Sequence, residues 1–177
     1  MTLVEFISAE IRRLHAMLDA ATADLTPAQW HTIPAENPAA NHLAFEMWHY
    51  VRTEDNVVRF LLQKRRATVW AEGGYAETLG LPPVAQGTGM TAEQAQALRI
   101  KDLPMFKDYM QKVWASSEDF LSKTSPADLE AVITVKPLGD MPGIRALGQV
   151  CLSHGHGHFG EIELIRTLIG VGPAVGV

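Results

Sequence analysis

Among the 177 residues, the side chains best suited to chemistry lie in one short run, Cys151-Leu-Ser-His154-Gly-His156-Gly-His158-Phe-Gly-Glu161-Ile162. Alternating His and Gly would suit a strand, but the flanks decide the period. Leu147, Cys151, His154, His158, Ile162, Ile165 and Ile169 recur every three or four residues, a single helical stripe. On a helix His154 and His158 stand one turn apart, with Cβ atoms roughly 5–6 Å from each other. His156 points about 200° away. Two imidazoles so placed can clamp one metal ion with bonds of roughly 2.0–2.1 Å. Gly155, Gly157 and Gly160 each cost about 1 kcal/mol in a helix interior, so close approach of another helix backbone is expected to compensate.

A clamp of two needs a further ligand from elsewhere in the chain. His42, Glu46, His49, Thr53, Asn56 and Phe60 form a second stripe. His42 and His49 are two turns apart, about 10 Å along the axis, so only one of them can join. Cys151 shares the first stripe and is read as a small core residue. Glu46-Met-Trp-His49 fits the Glu-x-x-His element of di-iron bundles, but no second copy exists. The chain has no His-Glu-x-x-His, Cys-x-x-Cys, Gly-x-Ser-x-Gly or phosphate-loop pattern.

The elements that must position these residues are helical. Val4, Ile7, Ile11, Leu14 and Leu18 predict an amphipathic helix from about residue 2 to 23. Pro27 opens a short turn, and Pro34 and Pro38 keep the chain extended. A second helix is expected from about 39 to 66. Glycines and prolines then make 67–90 a long loop. Thr91-Ala-Glu-Gln94 has the form of a capping box, and the third helix should start with Asp102 as cap and run to about Lys123. Residues 131–135 have strand character but no evident partner, which favours an extended connection. The last helix should begin near Pro142 and end near Gly170. One domain over residues 1–177, all-α, an antiparallel four-helix bundle with a long connection between helices 2 and 3, is the economical fold.

Composition narrows the function. Fifteen Lys and Arg against twenty Asp and Glu give a net charge of −5, so no nucleic-acid partner is expected. Trp30, Trp48, Trp70 and Trp114 are read as packing anchors. One cysteine suits a reducing, cytoplasmic setting. No apolar run is long enough for a membrane.

Taken together, His154-Gly-His-Gly-His158-Phe159-Gly-Glu161-Ile, with Trp48-His49 and Glu54-Asp55 upstream, resembles the DinB/YfiT-like superfamily of four-helix bundles. The section from Val69-Trp70 to Tyr109 also looks like members with a long second connection. Phe159 departs from the pattern, since many members carry Arg there. The resemblance implies that His49, rather than His42, joins His154 and His158 around a divalent transition metal, Zn or Ni first, Fe or Mn next. Three neutral imidazoles leave an open coordination position. The implied reaction is activation of a low-molecular-weight thiol for transfer to an electrophilic small-molecule substrate, with Glu46 or Glu161 orienting a ligand or acting as base. A metal-hydroxide hydrolase and a non-catalytic, stress-related binding bundle are the alternatives. A homodimer is also expected.

Overall fold

The computed structural model describes residues 1–34 and 39–175. The expectation for Pro38 lies outside them. Four long helices carry the molecule: α1 (Leu3–Ala23), α2 (Leu43–Asp55), α3 (Leu103–Lys123) and α4, which starts at Gly143–Ala146 and ends with His154–Leu168. Both α1 and α2 pack against α3 and against α4. The chain is therefore mostly helical.

Local chemistry sets the helix starts. Thr2 and Glu5 close a capping box at α1, the Asp102 carboxylate caps α3 through the Met105 N–H, and Pro142 precedes α4. At α2 the cap is an imidazole: His42 Nδ1 accepts from the Phe45 N–H at 3.1 Å, and Arg99 approaches Nε2 at 3.2 Å. At the other end of α4, Arg166 makes a two-pronged pair with Asp24 and donates to the Ala21 carbonyl, tying that end to the end of α1.

Three expectations need correction. Residues 132–135 are not a lone extended connection but a strand, β1 (Val132–Val135), paired antiparallel with β2 (Gly139–Pro142), so that Val132 faces Pro142 and Val135 faces Gly139. The stretch 67–90 is not one uninterrupted loop. It folds two helical turns, Val69–Glu72 and Tyr75–Leu79, and Asp55 holds the first by accepting from the Val69 and Trp70 N–H groups at 2.9 Å. Finally, α2 and α4 are not uniformly wound. Asn56–Leu61 continues α2 as a π turn, and Leu147–Ser153 is a π turn inside α4. The two π turns touch each other, and such turns favour functional sites.

The core has two parts. One gathers Leu14, Leu18, Met47, Trp48, Tyr50 and Phe106; the other gathers Ile11, Val57, Leu121, Leu147 and Cys151. All four tryptophans are buried, as packing anchors should be. A polar network runs through this interior. Tyr50 donates to Glu54 at 2.7 Å, and His15 Nε2 lies 3.1 Å from both oxygens of the same carboxylate. The second His15 nitrogen meets Glu118, and Trp114 stacks on the ring. Burial drags the His15 pKa down, but Glu54 and Glu118 outweigh it and the net shift is upward. For Glu54, burial raises, but His15 first and then Ser117 and Tyr50 together more than offset it, so its pKa falls.

The signs fix a prediction. A raised histidine contributes stability below about pH 6.5 that fades as pH climbs through its folded pKa; a depressed glutamate contributes above about pH 4.3 and fades as pH falls through its own. The pair therefore stabilises most at mildly acidic to neutral pH. His15→Ala leaves a buried carboxylate without its cation and should cost about 3–5 kcal/mol there, read from urea melts at pH 6. A change within about 0.5 kcal/mol, the range for an ordinary surface site, would contradict it.

Candidate metal centre

His49 projects from the middle of α2, and His154 and His158 from the first two turns of the long part of α4. The structure brings all three together. Each offers a ring nitrogen within 4.8 Å of the others, and His154 Nε2 and His158 Nε2 are 2.9 Å apart. The rings of His154 and His158 meet edge to face at 4.3 Å between centroids, and His49 stands 5.2 and 5.1 Å from them. His156 lies outside the cluster, as its helical phase requires. So does His42, which is engaged as the α2 cap and whose pKa is lowered to about 4 by burial with the nearby His31 and Arg99. Cys151 is fully buried, and burial beside Glu54 pushes its thiol well up, which disarms it as a nucleophile.

Two of the imidazoles, His49 and His158, are oriented by different devices. His49 lies flat on Phe45, one turn earlier in α2, with centroids 5.8 Å apart and planes 9° from parallel. Its Nδ1 donates to the Gln86 carbonyl, which leaves Nε2 as the free lone pair. Gly87 makes this contact possible. Its φ is +99°, and a Cβ there would stand 2.8 Å from His49 Nδ1. His158 is held by carboxylates: Glu46 Oε2 and Glu161 Oε2 lie 2.7 and 2.8 Å from its Nδ1, ion-pair distances at which neither closes a well-aligned hydrogen bond. Glu46 is buried, whereas Glu161 is 57% exposed.

The electrostatics differ across the cluster. Burial, then the neighbouring imidazoles, lowers His154 to about 4, and burial likewise lowers His49. Burial also opposes charge on His158, but Glu161 and Glu46 raise it to about 9. In turn His158 holds the Glu161 carboxyl below its usual range. His158 thus carries a proton between its Nε2 and that of His154, at a point where neutral imidazoles converge. This donor set fits a borderline transition metal. The nitrogens that converge are the Nε2 atoms of His154 and His158, 2.9 Å apart, while their Nδ1 atoms are buried without aligned partners.

Two clefts meet at His49. The larger, about 1010 Å³, has His49 and His154 in its wall and runs toward the β1–β2 hairpin. The smaller, about 410 Å³, is bounded by Glu46, His158 and Glu161. Residues 86–89 separate them.

The profile of the DinB superfamily matches residues 10–162, a span that includes all three histidines. The chain belongs to the DinB superfamily. A crystal structure described as that of the conserved protein of locus from Enterococcus faecalis shares the DinB fold seen here, with a TM-score of 0.80 at 21% identity, over 96% of this chain and 98% of that one. No curated protein matches.

The residues that sequence reasoning missed are those that hold the imidazoles rather than join them. Gln86 acts through its backbone and leaves no side-chain signal. Gly87 left a faint one in Gly87-Thr-Gly89, a pair of glycines that both adopt positive φ. The expected close approach of a helix backbone to the α4 glycines holds at none of them. A Cβ on Gly155 would meet side chains, Leu14 Cδ2 at 2.5 Å and Tyr50 Cε2 at 2.6 Å, while Gly157 and Gly160 have nothing within 4 Å. Gly155→Ala should therefore cost about 1–3 kcal/mol by overpacking. Gly157→Ala should instead stabilise by about 0.5–1 kcal/mol through helix propensity. Thermal melts of both variants test the contrast, and effects of the same sign would refute it.

Proposed function

We propose that this DinB-superfamily protein is an enzyme in which His49, His154 and His158 hold a divalent transition metal, zinc or nickel first and iron or manganese next. On this reading it joins a low-molecular-weight thiol to an electrophilic small molecule. The observation that carries it is the position of the cluster. His49 and His154 are at once members of the convergent set and part of the wall of a large cavity, so the open side of a three-imidazole site faces space that a substrate can occupy. The four long helices are taken as an antiparallel bundle around this site.

A bound divalent ion supplies Lewis acidity and lowers the pKa of a thiol at its open position. The protein does the rest. Phe45 and the Gln86 carbonyl fix the plane and tautomer of His49. Glu46 and Glu161, 2.7 and 2.8 Å from His158 Nδ1, orient the ring and favour positive charge on that nitrogen, which would make Nε2 the more electron-rich ligand atom. A carboxylate held below its usual range is a poor proton acceptor, so Glu161 suits orientation better than base catalysis. In the transfer the S–H proton goes to solvent, the carbon–sulfur bond forms and the bond from carbon to its leaving group breaks.

Metal content decides the site and turnover decides the reaction. His158→Ala should lose tight zinc or nickel binding, while His156→Ala should keep it nearly intact. In the metal-free protein His158 is protonated up to about pH 9, so binding must release that proton, and affinity should rise with pH by about tenfold per unit up to that range. Equal loss in both variants would exclude the triad. Conversion of an aromatic halide with cysteine only when metal is added supports thiol transfer; metal-dependent cleavage of a nitrophenyl ester without thiol would support the hydrolase alternative instead.

A further inference from the structure

The large cavity continues well past the histidines, and its lining changes character along its length. The α2 stripe supplies the floor. After His49 come Thr53, Asn56 and Phe60, all facing the cavity. The Thr53 hydroxyl is buried without a hydrogen-bond partner, a polar atom that a ligand could satisfy. Beyond it the wall is apolar, with Val57, Phe60 and Leu138.

The far end is cationic. Arg65 and Lys136 both line the cavity there, one just after the π turn of α2 and the other between β1 and β2. Arg145 reaches the lining through Gln149, to which it donates at 3.3 Å. No Asp or Glu stands among the described residues that line the cavity; the carboxylate of Asp140 is tied up by the Thr134 hydroxyl at 2.6 Å. The chain as a whole carries a charge of −5, so this local excess of cations runs against the global field. Arg65 is also placed with effort. It and Lys64 have φ of 65° and 53°, a left-handed pair that non-glycine residues rarely adopt. This turn sets the Arg65 guanidinium 5.9 Å from the Phe60 ring, at the edge of the apolar wall.

We propose that this cavity is the binding chamber for a small organic acid with an apolar body, its carboxylate, sulfonate or phosphate held between Arg65 and Lys136 and its other end delivered to His49 and His154. Polar atoms in its middle meet Thr53 and Asn56. The assignment of the end at His49 and His154 as the reacting end rests on the metal-enzyme reading above; the anion selectivity does not. It is a charge difference between two probes of almost equal shape that isolates the claim.

The probes are anilinonaphthalene sulfonate and its uncharged parent, phenylnaphthylamine, followed by fluorescence titration of the full chain, as purified and after chelation. The sulfonate should bind the native protein about tenfold more tightly than the parent, the effect expected of two partly exposed charge contacts. Reversal of both cations, Arg65→Glu with Lys136→Glu, should erase that preference by weakening the sulfonate and sparing the parent. Asn56→Trp, which fills the cavity, should weaken both. Equal weakening of both probes by the charge reversal, or no effect of Asn56→Trp on either, would overturn the proposal. His158→Ala separates the two readings. If it loses metal and keeps the sulfonate preference, both stand. A metal content unchanged by His158→Ala beside an intact preference removes only the metal reading, and a lost preference in chelated native protein removes only this one.

Discussion

The contact between the Tyr50 ring and Gly155 sets the distance on which the rest of the site depends. A side chain at position 155 would collide with that ring, so the Tyr50 ring can pack onto α4 here only because residue 155 has none. The neighbours of Gly155 on α4 are the two clamp histidines one and three positions away, and the neighbour of Tyr50 on α2 is His49. Ring-to-ring closeness of about 5 Å across two helices follows from that single packing choice. Tyr50 cannot retreat, because its hydroxyl is bound to Glu54 and Glu54 to His15. The polar network in the core thus acts as a stop behind the histidine cluster.

What this arrangement asks of the chain explains what could be read in it beforehand. Helix phase is a property of side-chain type and spacing, so the stripe through His154 and His158, the opposite face of His156, the cap at Asp102 and the helix starts near residues 2 and 142 were all legible. The π turns were not. An added residue per turn changes the phase only locally, and the Leu147–Ser153 turn ends immediately before His154, leaving the clamp spacing intact. The hairpin was hidden for a different reason. Its second strand, Gly139-Asp-Met-Pro142, lacks the β-branched and aromatic residues that advertise a strand, and pairing rather than propensity makes it one. Membership of the cluster by His49 and not His42 was open to the spacing and closed by the resemblance. The structure adds the physical reason: His42 spends its lone pair as a helix cap.

Charge is distributed with the same economy. Acidic residues are in excess overall, and three of them are buried against partners: Glu54 on His15, Asp55 on the start of the 69–72 turn, Glu46 on His158. The larger cleft is left to cations and neutral groups. One side of His49 therefore faces carboxylates and the other faces none, and the segment 86–89 keeps the two environments apart.

That segment holds His49 by a main-chain carbonyl. Any residue at position 86 carries the same oxygen, so substitutions there can leave the tautomer of His49 unchanged. A deletion or insertion between the short helical turns and Thr91 is another matter, because it moves the oxygen itself. The site is in this respect sensitive to the length of a connection and, Gly87 apart, indifferent to its spelling. Apart from Gly87, whose positive φ and lack of a Cβ the His49 contact requires, the composition of this stretch is free while its residue count is under constraint.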